Sequence, residues 1–490
     1  MNDLKSILRF IGILLVAEGA LMGCCIVPAL HFADGTAHPV AVCAMFTLAV
    51  GAMLWVSFMR YRRIDNRRIA YLLVTAIWLA LTLFGSLPLM ATHSIRQPSI
   101  AAIIREAFFE SMSGLTTCGA TIFADVAALP ASMLLWRSML QWFGGFGIVL
   151  LVLALTPRLG INKYALYTAE ASEADNSGRT TAKPSVTVHR MLAIYLSLTA
   201  VFIVALRLAG MQIWDSVCLT FTNISSGGFS VASDGIASCT PLQQYILAAA
   251  MLMSGVNFTL LYLVFTFRWR QIGHKLDQFR FYIMLCVLSV AAVAVALHLL
   301  HGMPVEEALR LATVQSISSL TTTGTVAADT PLWPVPVTFL LLMLSLCGGM
   351  AGSTSGGLKV MRVLILARNA RSILHDRLHP NAVNPVRLNG SPVGSHIRAN
   401  VMVIFMVYVL TLMVGTMVLM VCGIGADEAI GAAVGCLTGY GPGLGPSGGF
   451  GSYAAFTPTA MWFCSFLMLL GRLECMTVLV LLLPRFWRKN

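Results

Sequence analysis

An all-α protein that crosses a membrane many times is the fold class this sequence predicts, on three observations. Of its 490 residues, 58% are hydrophobic and only 11% are charged, less than half the roughly 25% charge of a soluble chain. Ten apolar stretches are long enough to cross the hydrocarbon as helices. Between them a shorter motif comes back four times. Such a composition leaves too little polar side chain to clothe a water-exposed surface, and it also excludes disorder and collagen-like repeats.

The stretches run over roughly 8–30, 41–59, 70–92, 133–156, 190–210, 243–267, 280–300, 335–367, 400–423 and 455–484. The first is long and is followed at once by a second, unlike a cleavable signal. Connections are short and polar except 157–189 and 369–398, which read as linkers. The 32 Lys+Arg exceed the 20 Asp+Glu, for a formal net charge of +12. Basic residues gather at alternate ends of the spans: Lys5 and Arg9, then Arg60 to Arg68, Arg158 to Arg190, Arg268 to Arg280, Lys359 to Arg398, and Arg485 to Lys489. Lys and Arg accumulate in cytoplasmic loops. Both termini are therefore expected in the cytoplasm, and the charge needs no nucleic-acid partner. The cysteines form no C-x-x-C pair and sit in apolar runs, as Cys286, Cys422 and Cys464 do, and they read as small buried hydrophobes.

On the opposite face, the segments after spans 3, 5, 7 and 9 are too apolar for plain loops and too short to cross. They cover roughly 100–118, 213–226, 305–323 and 426–438. A half-crossing helix with an extended return is the economical reading, because non-helical backbone at membrane depth is tolerated only where protein or a water-filled cavity shields it. The first segment ends in Thr116-Thr117-Cys118-Gly119 and the second in Ser225-Ser226-Gly227-Gly228. The third ends in Thr321-Thr322-Thr323-Gly324 and the fourth in Thr438-Gly439-Tyr440-Gly441. Their last glycines stand 109, 96 and 117 residues apart, which predicts a fourfold repeat of helix, half-helix, polar glycine turn and helix. Glu106, Asp215 and Glu428 each stand 13 residues before their glycine. In the third repeat Leu311 holds that place, and the acids are Glu306 and Glu307, about one turn earlier. A carboxylate at a helix N-terminus offsets the positive end of its dipole. The C-terminal ends of the half-helices are then expected to converge near the glycines, presenting partial negative charge to a central cation.

A dehydrated cation needs oxygen atoms in place of its hydration shell, and extended Thr/Gly backbone supplies carbonyl rings for this in potassium-selective filters. Glycine suits such turns because their backbone angles disfavour a Cβ and four chains crowd one axis. Thr438-Gly439-Tyr440-Gly441 is similar to the T-V-G-Y-G loop of potassium channels. With four related turns at matched places, the chain resembles the Trk/Ktr/HKT superfamily of potassium transporters, and within it the bacterial TrkH branch. The resemblance spans essentially the whole sequence, two extra N-terminal spans included. It implies four M1-P-M2 units (helix, half-crossing pore helix, helix) around one ion pore, with K⁺ as the transported ion. It also implies that the sixteen turn residues named above form the filter, with Gly119, Gly228, Gly324 and Gly441 as the defining glycine of each unit. Plant relatives that favour sodium often carry serine at the first glycine, so Gly119 points to potassium. Cys118 and the Ser225-Ser226 pair make the filter less uniform than Thr-x-Gly throughout.

The eighth span is interrupted by Cys347-Gly348-Gly349-Met350-Ala351-Gly352-Ser353-Thr354-Ser355-Gly356-Gly357-Leu358-Lys359. Five glycines in ten positions disfavour a regular helix by roughly 1 kcal/mol each relative to Ala. Close packing through small residues is one explanation. The reading preferred here is a broken helix whose loop lies under the turns as a gate, as the intramembrane loop of TrkH-like proteins does. Arg472 lies well inside the last span, where a charge costs at least about 2.5–3.5 kcal/mol and points to a function, or else to a structural pair with another helix or a snorkelling side chain. The resemblance puts it in the pore near the gate, as an electrostatic barrier. Glu474 is not its partner, since residues two apart do not face each other on a helix. No other carboxylate than Glu474 is expected mid-span.

Gly443 to Gly448 fits G-x-G-x-x-G and Gly445 to Gly449 fits G-x-S-x-G, but neither follows a strand in an α/β unit. No Walker sequence, paired acids or metal cluster suggests an enzyme. The expected domains are two N-terminal helices (1–66), pore repeat 1 (67–160), a cytoplasmic linker (161–189), repeat 2 (190–270), repeat 3 with its gating loop 347–359 (271–368), a second linker (369–398) and repeat 4 (399–490). The resemblance further implies a homodimer in the bacterial inner membrane with no organic cofactor. Its regulators would be TrkA-like cytosolic nucleotide-binding subunits; the basic linkers 157–189 and 369–398, the latter with Arg371 and Arg377, are the candidate docking surfaces. A Na⁺- or H⁺-coupled potassium symporter is the alternative.

Overall fold

The structure, a computed structural model, describes residues 2–61, 67–95, 97, 99–159, 184–268, 276–379 and 385–488. Most of the first expected linker, 161–183, and residues 380–384 of the second lie outside the described residues. A chain in lipid must satisfy each backbone N–H and C=O internally, and among the described residues helices supply most of this.

Helix α1 (Asn2–Cys24) continues as α2 (Ile26–His31), and α3 (Ala37–Ser57) returns along α1. A Cβ on Gly12 would press on the Gly51 carbonyl, and one on Gly51 would press on Gly12. Such small-residue contacts let membrane helices approach closely. Helix α4 (Arg67–Gly85), prolonged by α5 (Leu87–Ala91), packs on α1 and opens the first of four similar units.

In that unit the short α6 (Ile100–Leu115) lies between α4 and α7 (Ala131–Leu159). In the second, α9 (Ile213–Ile224) lies between α8 (Pro184–Leu208) and α10 (Pro241–Ser254), which leads into α11 (Phe258–Phe265). The third sets α13 (Val305–Leu320) between α12 (Asp277–His301) and α14 (Val335–Cys347), with α15 (Val360–Leu378) beyond a break. The fourth sets α17 (Ala426–Thr438) between α16 (Ser395–Val421) and α18 (Pro458–Arg472), followed by α19 (Met476–Leu482) and α20 (Pro484–Trp487). Each returning helix also packs on the short helix of the next unit: α7 on α9, α10 on α13, α14 on α17, and α18 on α6. The last contact joins the fourth unit to the first. The circle closes.

Two predicted spans depart from straight helices. Span 243–267 bends by 109° between α10 and α11, and span 455–484 bends by 118° between α18 and α19. At the first bend Asn257 starts a new helix, its side chain accepting from the amides of Thr259 and Leu260. At the second, Glu474 and Cys475 take left-handed φ of 57° and 46°. The predicted linker 369–398 begins as helix, since α15 runs to Leu378, and then forms a hairpin of β1 (Arg387–Leu388) and β2 (Ser391–Pro392).

The helix-start acids also need one correction. Asp215, Glu306, Glu307 and Glu428 stand in first turns. Glu106 does not, because α6 begins at Ile100. It accepts instead from the side chains of Gln97 and Arg105.

Candidate functional site

The four short helices end in one backbone pattern. Two residues before each key glycine, Thr117, Ser226, Thr322 and Gly439 turn left-handed, with φ of 54°, 53°, 53° and 74°. The glycines themselves have φ of 84°, 77°, 76° and 88°. Between them Cys118, Gly227, Thr323 and Tyr440 donate their amides five residues back, to Ser113, Thr222, Ser318 and Gly435, at 2.8–3.0 Å. A left-handed L-residue costs about 1–2 kcal/mol, so the three non-glycine turns are held by what surrounds them.

What surrounds each turn is the next turn. A Cβ on Gly119 would collide with the Gly227 carbonyl oxygen, on Gly228 with that of Thr323, on Gly324 with that of Tyr440, and on Gly441 with that of Cys118. The four predicted turns therefore meet in one closed ring, joined through their key glycines. A cavity opens on one side of it, lined by all four glycines and by residues that follow them, among them Thr121, Phe229 and Pro442.

Hydrogen bonds tie neighbouring units behind the ring. Thr325 Oγ1 donates to Asn223 Oδ1 at 2.8 Å, and Ser319 Oγ donates to the Tyr440 hydroxyl at 3.1 Å. The Tyr453 amide donates to the Thr121 carbonyl at 2.8 Å, and its hydroxyl to the Gly441 carbonyl at 2.8 Å. Arg137 and Glu110 form a buried ion pair at 2.7 Å. Glu110 also accepts from the Ile122 amide, and Arg137 donates to the Ser230 carbonyl at 3.4 Å. Breaking a buried pair by removing one partner costs about 3–5 kcal/mol. Arg137→Met is therefore expected to lower the melting temperature in detergent, and adding Glu110→Gln to recover part of the loss.

On the other side of the ring lies the glycine-rich loop, residues 348–359. Ser226 Oγ donates to Thr354 Oγ1 at 2.9 Å, the Gly356 amide to Thr322 Oγ1 at 2.7 Å, and the Gly357 amide to the Thr438 carbonyl at 2.9 Å. The loop thus meets three of the turns at the ends of their short helices. A Cβ on Gly356 would strike the Thr438 carbonyl, so only glycine comes this close. The bend before α11 holds the far side of the loop: the Met350 amide donates to the Gly255 carbonyl at 2.9 Å, and Asn257 Nδ2 to the Ala351 carbonyl at 2.6 Å. Lys359 Nζ donates to the Ser355 carbonyl from within the loop.

Arg472 joins loop to wall. Its Nη1 donates to the Thr354 carbonyl at 3.1 Å and its Nη2 to the Gly144 carbonyl at 2.9 Å. Glu474 pairs instead with Arg362, at 3.0 Å. The sequence reading missed Asn257, although an Asn just after Gly255 inside an apolar run is a helix-restart signal. It also passed over Glu18. This carboxylate lies mid-way along the span Leu4–His31, is 1% exposed, and presses towards Gly85 beside Ser111. Glu474 is therefore not the sole carboxylate within a span, and Glu110 is a second buried one, at the ring's back.

The four glycine turns close a ring inside apolar helices, and comparison with known proteins shows the family. The family model described as TrkH, cation transport protein, matches residues 39–489. The chain belongs to the TrkH family. It is 33% identical over 489 residues to the Trk system potassium uptake protein TrkH of Salmonella typhimurium, covering 99% of each chain. To the TrkH protein of Halomonas elongata it is 34% identical, over 99% of this chain and 100% of the other. The crystal structure of the potassium transporter TrkH from Vibrio parahaemolyticus superposes with a TM-score of 0.88 at 33% identity, covering 99% of this chain and 100% of that one. TrkH membership makes this a multi-pass membrane protein and a transporter.

Proposed function

We propose that this protein takes up K⁺ across the bacterial inner membrane through a selectivity filter formed by the four glycine turns. The observation that carries the reading is the closed ring, in which each glycine has no room for a Cβ beside the next turn's carbonyl. Backbone oxygens so gathered replace the ion's water. The 348–359 loop is the gate, held in the conduction path by its bonds to Ser226, Thr322 and Thr438, with Arg472 as its latch and as a positive barrier to cations. Four M1-P-M2 units surround the pore, both termini are cytoplasmic, and the protein works as a homodimer under TrkA-like nucleotide-binding subunits. The potassium uptake named for its relatives in Salmonella and Halomonas supports the choice of ion.

Rubidium uptake into sealed proteoliposomes tests this. Flux driven by the Rb⁺ gradient alone is the expected result. A strict need for a Na⁺ or H⁺ gradient would favour the coupled symporter instead, and absence of flux even with the Arg472 latch removed would contradict the pore.

A further inference from the structure

The residue just before each key glycine is Cys118, Gly227, Thr323 or Tyr440, and three of these anchor themselves. The Cys118 thiol donates to the Gly435 carbonyl at 3.5 Å, the Thr323 hydroxyl pairs with that of Thr321 at 2.8 Å, and the Tyr440 hydroxyl accepts from Ser319 at 3.1 Å. Gly227 has no side chain to do this. Followed by Gly228, it is also the most freely rotating of the four.

Its place is filled from outside the turn. Gln141 on α7 is fully buried, and a Cβ on Gly227 would run into its Cγ, Cδ and Oε1. Its Nε2 donates to the Gly227 carbonyl at 2.8 Å, and its Oε1 accepts from the Phe229 amide at 3.1 Å. The side-chain amide therefore pairs with a carbonyl and with the amide two residues on, as a neighbouring strand would. Gly227's carbonyl is also the one that faces Gly119 across the ring. One turn below, Gly144 packs on the Leu115 carbonyl as Gly471 packs on that of Leu437, which makes Met468 the counterpart of Gln141 in the fourth unit. A thioether there offers no matching donor and acceptor.

We propose that Gln141 is the positioning residue of the second turn, supplying from α7 the anchor that the other turns carry themselves, and so helps set discrimination between K⁺ and Na⁺. The inference rests on the filter reading above. Gln141 fixes where the Gly227 carbonyl stands, and coordination that fits K⁺ better than Na⁺ depends on that position.

The test compares K⁺ with Na⁺ flux in proteoliposomes for Gln141→Leu, Gln141→Glu and Gln141→Ala/Gly227→Thr, with Gly228→Ala as the reference. Gln141→Leu is expected to keep K⁺ flux and lower the K⁺/Na⁺ ratio about fivefold to tenfold, in line with one lost buried hydrogen bond. Gln141→Glu keeps the acceptor for Phe229 but sets a carboxylate oxygen, an acceptor only, against the Gly227 carbonyl, and a fall at least as large is expected. Gly227 lies outside the left-handed region, so the threonine of the double variant fits once Gln141 is trimmed, and discrimination should return. A merely structural Gln141 would not be rescued in this way. Wild-type ratios in the two single variants while Gly228→Ala alters the ratio would overturn the inference and leave the filter standing. An unaltered ratio in Gly228→Ala as well would remove both. If Gln141→Leu does not fold, a wild-type ratio in Gln141→Glu together with no recovery in the double variant overturns the proposal.

Discussion

Gly228→Ala and Gly324→Ala, each made alone, are expected to lower the K⁺/Na⁺ flux ratio by at least about tenfold, while Gly423→Ala leaves it unchanged. All three glycines have φ between 76° and 89°, so each substitution carries the same backbone strain of about 1–2 kcal/mol. They differ in what a Cβ meets. At Gly423 there is nothing within 4 Å, whereas at Gly228 and Gly324 the methyl would overlap the carbonyl oxygens of Thr323 and Tyr440. The neighbouring turn must then move, and an ion that has given up its water no longer finds its oxygens in place. With 1.4 kcal/mol equal to a factor of ten, a small loss of fit is enough for the expected change. Gly119 and Gly441 leave slightly more room, so Gly119→Ser and Gly441→Ser should fall in the same direction with smaller effect. Parallel K⁺ and Na⁺ uptake by the purified variants measures the series.

Arg472→Ala is expected to raise unregulated Rb⁺ flux about 10- to 150-fold, the weight of one hydrogen bond from a charged donor at ~1.5–3 kcal/mol. The guanidinium bridges the Thr354 carbonyl of the loop and the Gly144 carbonyl of α7, so its removal breaks that tie between loop and wall and, in the proposed pore, takes away a positive charge. Arg472→Lys keeps the charge but cannot span both carbonyls with a planar fork. It should leak at an intermediate level, which separates the latch from the barrier. Equal flux in Arg472→Ala and the wild type would show that Arg472 does not hold the gate.

The ring was open to sequence reasoning because it is written in local chemistry. A left-handed turn followed by a glycine needs small or polar residues in order, and the order recurs at Thr117–Gly119, Ser226–Gly228, Thr322–Gly324 and Gly439–Gly441. Five glycines between Gly348 and Gly357 likewise announced a break that no helix tolerates cheaply. Less visible were features made by contacts between distant segments. The bends at Gly255–Asn257 and Leu473–Cys475 sit in runs apolar enough to pass as single spans, and only the packed loop shows why the helices stop there. Glu106 was placed by counting from Gly119, which fixes the end of α6 and says nothing about its beginning at Ile100. Gln141 lies in an apolar helix 86 residues from its partner Gly227, and no local pattern links the two.

The most direct measurement is the anomalous scattering of Tl⁺ or Rb⁺ in crystals of this protein grown without other alkali ions. Density on the axis of the ring, level with the carbonyl oxygens of Cys118, Gly227, Thr323 and Tyr440, is the result expected of a filter made from four turns. Bound ions found elsewhere in the membrane region, with that axis empty in a sample shown to transport them, would contradict it.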